Sequence, residues 1–280
     1  MRTQAKVRVP EFDWENGEPP SRPADLTYSY GFVASSIMIA AFEPFIVRVT
    51  KRIVQEASLP EGLRRDAENL IGQEDAHGAE HRMLNRFLES TGIGGTADES
   101  KRIVGEFSSY FREKSLRYCS AYCAAFELLG LVFCDFYFHD AEMQRFHLSD
   151  GDPAGRVWHW HFAEEYEHRA VAHDLYDHCF PSKAGYLFRI RVTGRVLADM
   201  FRWSARLVAA MKAFDVAELP SDVAAAHMRQ HKRYEARWGR FFMTRVARVL
   251  APGYRPGSIS WPDVEQYLDS LPKSWSLDYQ

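Results

Sequence analysis

Two glutamates stand where a helix interior would ordinarily exclude them. Glu43 is the only charged residue between Asp25 and Arg48, and Glu127 the only one between Arg117 and Asp135. A buried carboxylate with no partner costs several kcal/mol, so each needs something to neutralise it. Two further segments, Glu74-Asp-Ala-His77 and Glu165-Tyr-Glu-His168, carry Glu-x-x-His, with His81 one turn after the first and His161 one turn before the second. In chain order the pattern is Glu, Glu-x-x-His, Glu, Glu-x-x-His, which suits a two-metal site inside a four-helix bundle. Four carboxylates bring four negative charges. Two divalent cations cancel them, whereas without metal they repel one another and take up protons. Carboxylate-rich ligands with a few imidazoles fit iron first and manganese second, while structural zinc prefers a closed set of thiolates. Two such ions about 3.5–4 Å apart, bridged by Glu74 and Glu165, could bind dioxygen and reduce it.

These side chains need long helices to position them. Helical periodicity covers Tyr28 to Ala57, with a turn at Ser58-Leu-Pro-Glu61, and then Gly62 to Thr91. After Thr91-Gly-Ile-Gly-Gly, a third pattern capped near Thr96 runs to about His139. A break at Ser149-Asp-Gly-Asp-Pro153 precedes a fourth helix to His178. Two more stretches, Ala184 to Phe214 and Ser221 to Val249, lead to a proline-rich tail. Strand signals are scarce. The second helix places Leu63, Ala67, Leu70, Glu74, His77, His81, Leu84 and Leu88 on one face, and the fourth places Val157, His161, Glu165, His168 and Ala172 on one face. Glu43 lies about as far before the 58–61 turn as Glu74 lies after it, so both sit at one height in a hairpin. Glu127 reaches the height of Glu165 only if the third pattern ends or bends near His139. Glu164, Glu167, His159 and His173 fall off the ligand face and read as surface groups or as partners that orient ligands, and Tyr122 and Tyr166 read as core. Pro44 removes one hydrogen bond from the first helix and should kink it. Small residues beside the proposed ligands, Ala40, Cys123 and Gly130, mean either a cavity or close helix packing.

The whole composition agrees with a globular helical protein. The 280 residues are 46% hydrophobic and 26% charged, and Lys+Arg 35 against Asp+Glu 38 leaves a net charge of −3, which gives no global attraction to nucleic acid. The apolar run Tyr118 to Cys134 is short for a bilayer and has Glu127 at its middle, so a buried helix is expected rather than a membrane span. A polar start and four cysteines without a C-x-x-C pair suggest a cytoplasmic protein with reduced thiols. Arginines along the last two long helices read as solvated faces, with Phe201, Trp203, Trp238, Phe241 and Phe242 packing on the bundle or on a second subunit.

With the ligand pattern in place, the sequence resembles the ferritin-like di-iron carboxylate proteins. Gln73-Glu-Asp-Ala-His-Gly-Ala-Glu-His81 and Trp158-His-Trp-His-Phe-Ala-Glu-Glu-Tyr-Glu-His168 further resemble a bacterial family catalogued as predicted metal-dependent hydrolases, over about Tyr28 to Trp261. His161, four residues before Glu165, is similar to the third histidine ligand of the arylamine N-oxygenases, spaced H-x-x-x-E-x-x-H. These resemblances imply the ligand set Glu43, Glu74, His77, Glu127, His161, Glu165 and His168, with His81 beside it as a ligand, an orienting partner or a hydrogen-bonded core residue.

The expected architecture is a single all-α domain: a lead-in over 1–27, a ferritin-like four-helix bundle over 28–180, and additional C-terminal helices with a tail over 181–280. The expected function is a non-haem di-iron oxygenase or oxidase that uses dioxygen to oxidise or N-oxygenate a small organic substrate. A two-metal hydrolase and a non-catalytic iron-binding bundle are the alternatives. An electron-donating reductase and a homodimer are the partners this reading allows, with no nucleic acid and no membrane.

Overall fold

The fold comes from a computed structural model that describes residues 5–15, 30–146 and 153–276. Its helices are α1 (Tyr30–Glu56), α2 (Glu61–Ser90), α3 (Ala97–Glu113), α4 (Leu116–His139), α5 (Pro153–His168), α6 (Val171–Cys179), α7 (Lys183–Glu218), α8 (Ser221–Val249) and α9 (Pro262–Ser270). The class is all-α, as the periodicity predicts. Parts of two expected features, the start of the first helix at Tyr28 and the break at 149–152, lie outside the described residues, as does most of the lead-in.

Four helices surround the proposed ligands. α1 and α2 form a hairpin through the short turn at 57–60, and α4 and α5 close the other side. α1 stays one helix through Pro44, whose ring is exposed. α2 ends because Gly92 takes φ +87°, a left-handed conformation that lets the Ile93 N–H close on the Leu88 carbonyl and folds Ile93 back into the core. α4 is buried on almost every face because α1, α5, α6, α7 and α8 all pack against it. Both α1 and α4 are long and apolar enough to cross a membrane, and most of that apolar length is covered by neighbouring helices.

Three boundaries differ from the sequence expectation. The third pattern is two helices, broken at Lys114-Ser115, where the Ser115 hydroxyl accepts from the Tyr118 N–H and caps α4. The fourth is also two, since α5 ends at His168, one of the proposed ligands. Arg169 there donates to the Ile259 carbonyl and stacks its guanidinium on Tyr166. The tail is partly ordered into α9, which begins with Pro262 at its first turn and packs on α5. α4 does end at His139, the condition for bringing Glu127 level with Glu165.

Candidate metal centre

The helix faces deliver all seven proposed ligands to one buried cluster. Glu74, Glu127, Glu165 and His168 offer ligand atoms close enough together to hold one ion, and His77, His161 and Glu165, with Glu43, Glu74 and His77, offer the atoms for another beside it. Glu74 and Glu165 serve both groups, the arrangement that bridging carboxylates require. His168 Nε2 lies 3.1 Å from Glu74 Oε1, 3.4 Å from Glu127 Oε2 and 3.2 Å from Glu165 Oε2. His161 Nε2 lies 3.2 Å from Glu165 Oε1, and His77 Nδ1 lies 3.9 Å from both Glu74 Oε1 and Glu165 Oε1.

Each histidine is held with one nitrogen turned to the carboxylates and the other engaged behind. His168 Nδ1 donates to Gln73 Oε1 (3.0 Å), because the Gln73 amide nitrogen is committed to the Lys6 carbonyl and Glu167. His77 Nε2 donates to Glu164 Oε2 (3.1 Å). Behind His161 runs a chain of three bonds. Ser36 Oγ donates to Asn85 Oδ1 and accepts from His81 Nδ1, so His81 Nε2 is an acceptor for the His161 Nδ1–H at 3.1 Å. All three rings therefore present a bare nitrogen lone pair to carboxylate oxygens, an arrangement that repels unless a proton or a cation lies between them. His81 is thus an orienting residue for His161, and it also lies near enough to Glu43 and His161 to join a ligand group.

The donor set fits a pair of divalent cations on a further count. Neither oxygen of Glu43 or Glu74 makes a hydrogen bond among the described residues, nor does His77 Nδ1, although all three residues are fully buried. Polar atoms left this way cost several kcal/mol together, and ions between them would satisfy all five at once. The electrostatics of the metal-free cluster agree. Burial, with the neighbouring carboxylates, pushes Glu43 and Glu127 well above the usual range, and burial also raises Glu74. For Glu165 burial is outweighed by His168 and His161, which hold it well below that range. Burial pushes His77 down to about 3 and also lowers His161 and His81, while at His168 the surrounding carboxylates overcome burial and raise it.

Sequence reasoning missed the group that anchors this arrangement from outside. The segment 5–15 lies across α2 and α5, with Arg8 paired to Ser276 in an isolated antiparallel bridge. Val7 sits over Gly72, where any Cβ would meet it at 2.5 Å. Arg8 is 4% exposed and donates to Glu164 (2.7 Å) and Glu167 (2.9 Å). Glu164, off the ligand face by periodicity, is in fact wholly buried between Arg8 and His77, with burial raising it to about 7 against the pull of Arg8. His159 stacks edge-on against Tyr267, and His173 is buried near Asp174 and Asp177. We expect Arg8→Met to destabilise the protein by about 3–5 kcal/mol, the cost of stranding one partner of a buried ion pair. It should also weaken metal binding about 10–100-fold, as loss of a ligand's orienting partner does. Urea unfolding and a chelator competition would read the two effects, and unchanged metal affinity would sever Arg8 from the site.

Metal-dependent chemistry is also what the comparisons with known proteins indicate. The profile of a family described as predicted metal-dependent hydrolase matches residues 6–259. The chain belongs to that family. Neither the curated proteins nor the solved structures contain a significant match. The family match starts in the segment that bears Arg8 and runs through every residue of the candidate cluster.

A cavity of about 320 Å³ opens on the cluster. Glu43, Glu74, Glu127, His161 and Glu165 form its floor, and Phe42, Phe126, Phe133 and Phe162 are among its walls. Of the small residues weighed for access, Gly130 borders it, while Cys123 is packed in the core and Ala40 does not line it.

Proposed function

We propose that the protein is a dinuclear metalloenzyme that oxidises a small, largely apolar organic substrate with dioxygen. The observation that supports this best is the meeting of a seven-residue Glu/His cluster with an apolar cavity, since oxygen-rich ligands with imidazoles suit iron and the phenylalanine walls keep water from the reacting face. A bound pair of iron ions would supply the electrons for dioxygen reduction. The protein's own part is to fix the ligands and seat the substrate. Glu74 and Glu165 join the two ligand groups, and Gln73, Glu164 and His81 hold the three imidazoles in the tautomers that ligation needs. An electron-donating reductase would complete the cycle.

Hydrolysis is the second reading, and the family description favours it over the first. A metal pair held by these ligands would supply a nucleophile from water at neutral pH, and Glu43, neither of whose oxygens makes a hydrogen bond among the described residues, would take the proton. The readings part on redox chemistry. Protein loaded anaerobically with ferrous iron and then mixed with oxygen should consume about one dioxygen per metal pair, with a transient change in visible absorbance. The zinc-loaded form should leave chromogenic esters and anilides intact. Ester cleavage by zinc-loaded protein, without oxygen uptake by the ferrous form, would replace the first reading by the second. Multiple irons bound per chain with neither activity would point to iron storage.

His161 offers a finer test. His161→Ala should retain most of the iron while slowing the oxygen reaction at least tenfold, because His77, His168 and the carboxylates still bracket both positions. An unchanged rate would remove His161 from the ligand set.

A further inference from the structure

The shape of the cavity says what it takes. Along α1 its lining runs from Glu43 back through Phe42, Ile39, Met38 and Ser35 to Gly31, about 18 Å of helix rise. Its volume is nevertheless about 320 Å³, near the lower end for small-molecule pockets, so the space is long and narrow. Leu129, Leu197, Met200 and Trp238 continue the apolar wall, and the outer rim between α7 and α8 carries two exposed apolar side chains, Phe201 (62%) and Met243 (71%). Away from the cluster the polar lining is Ser35, Ser204, Tyr234, Glu235 and His231, of which His231 is the most deeply buried. His231 lines the cavity 2% exposed, and neither of its ring nitrogens makes a hydrogen bond among the described residues, although Nε2 lies 3.1 Å from Glu235. Two glycines in helix interiors, Gly130 on α4 and Gly239 on α8, also line the space, and at each a Cβ would meet nothing within 4 Å. Glycine weakens a helix relative to alanine, and here the absent side chains leave room that no other part of the protein fills.

We propose that this cavity binds a medium-length aliphatic chain bearing one hydrogen-bonding group, which enters between α7 and α8, and that Gly130 and Gly239 set the chain length it accepts. The chain form follows from the narrowness and from the flexible Met and Leu walls, which adapt to an alkyl chain. The exposed Phe201 and Met243 give an alkyl chain an apolar threshold at which to leave water. His231 gives a hydroxyl or carbonyl a buried partner. The proposal rests on the reading that the Glu/His cluster is the reacting centre, because that places the chain against it.

The test is isothermal titration calorimetry of the metal-loaded, full-length protein with n-alkanols from hexanol to tetradecanol. Affinity should tighten about fourfold per added methylene up to a limiting length and then stop rising, with a negative heat-capacity change. Gly239→Phe and Gly130→Leu should bind the best alkanol at least tenfold more weakly. Gly239→Ala and Gly130→Ala, which favour the helix and so cannot fail for want of folding, should move the limit to shorter chains. Metal content and circular dichroism should be unchanged in all four. Absence of binding, affinity without a length limit, or glycine variants that bind as the unsubstituted protein does would overturn the proposal. Binding is read without turnover. Alkanol binding in a protein that neither reduces oxygen nor cleaves esters would remove the proposed reaction and leave the cavity assignment standing, and the converse result would do the opposite.

Discussion

Glu165→Ala protein, expressed and purified in parallel with the unsubstituted chain, is expected to retain less than half a metal ion per chain where the unsubstituted protein holds about two. The expectation follows from where the carboxylate stands. One oxygen is 3.2 Å from His161 Nε2 and 3.9 Å from His77 Nδ1, and the other is 3.2 Å from His168 Nε2. No other carboxylate in the cluster lies within 4 Å of all three imidazoles. Removing it withdraws a shared ligand from both positions and leaves three lone pairs facing a void. Glu127→Ala and His168→Ala should behave differently. Both side chains belong to one ligand group alone, so each variant should keep about one ion. Elemental analysis of all three proteins decides the matter. If Glu165→Ala holds as much metal as Glu127→Ala, the bridging role is wrong, and wild-type content in every variant would discard the cluster as a metal site.

The second large effect is a divergence in pH dependence between metal-free and metal-loaded protein. Unfolded carboxylates and imidazoles titrate near 4.5 and 6.5. In the metal-free fold Glu43, Glu127 and His168 all keep protons above those values, so the stability they contribute is present at low pH and is lost as pH rises through their raised pKa values. His77, His81 and His161 are lowered and Glu165 is lowered, so what they contribute is lost as pH falls, below about 6.5 for the imidazoles and below about 4.5 for Glu165. Above pH 6.5 only the raised groups act. Metal-free protein should therefore lose stability as pH rises above about 6.5, by about 1.4 kcal/mol per pH unit for each proton that the folded state holds in excess. Metal-loaded protein should gain over the same interval, because cations displace those protons and bind more tightly as the ligands deprotonate. Differential scanning calorimetry of both forms in this range would show the two melting temperatures separating. A constant gap would mean that metal and protons do not compete for the same groups.

Much of this centre could be read from the primary sequence, for a physical reason. Isolated acids in apolar helices and two Glu-x-x-His pairs obey the 3.6-residue period, and the period alone brings Glu43, Glu74, His77, Glu127, Glu165 and His168 to one interior. The supports were less legible. Glu164 lies about 100° round α5 from Glu165, and periodicity alone leaves it either a surface group or a partner that orients a ligand. Its cover comes from Arg8, more than 150 positions earlier in the chain, and no local pattern announces such a contact. A signal existed in composition, since Trp158, Trp160, Phe162 and Ala163 spread large apolar side chains beyond one face of α5, which marks a helix covered on more than one side. The helix breaks at Lys114-Ser115 and Arg169-Ala170 were hidden because neither carries a Gly or Pro to mark it, although Ser115 is a capping residue by type. α9 was read as tail despite Pro262 and two acids in its first turn, which are ordinary signs of a helix start.

The strap behind His77 has a bearing on the order in which the molecule is assembled during synthesis. The strap that bears Arg8 is fastened by the Val9 N–H to the Trp275 carbonyl and by the Arg8 bridge to Ser276, which leave the ribosome more than 260 residues after Arg8. Until then the helices that hold the cluster can dock, and the strap rests on Glu164, Glu167 and Gly72 without its tie to the C-terminal segment. The strap that bears on Glu164 behind His77 is then locked only once residues 275 and 276 are made. A nascent chain arrested before residue 275 would carry every residue of the cluster with this strap still unlocked.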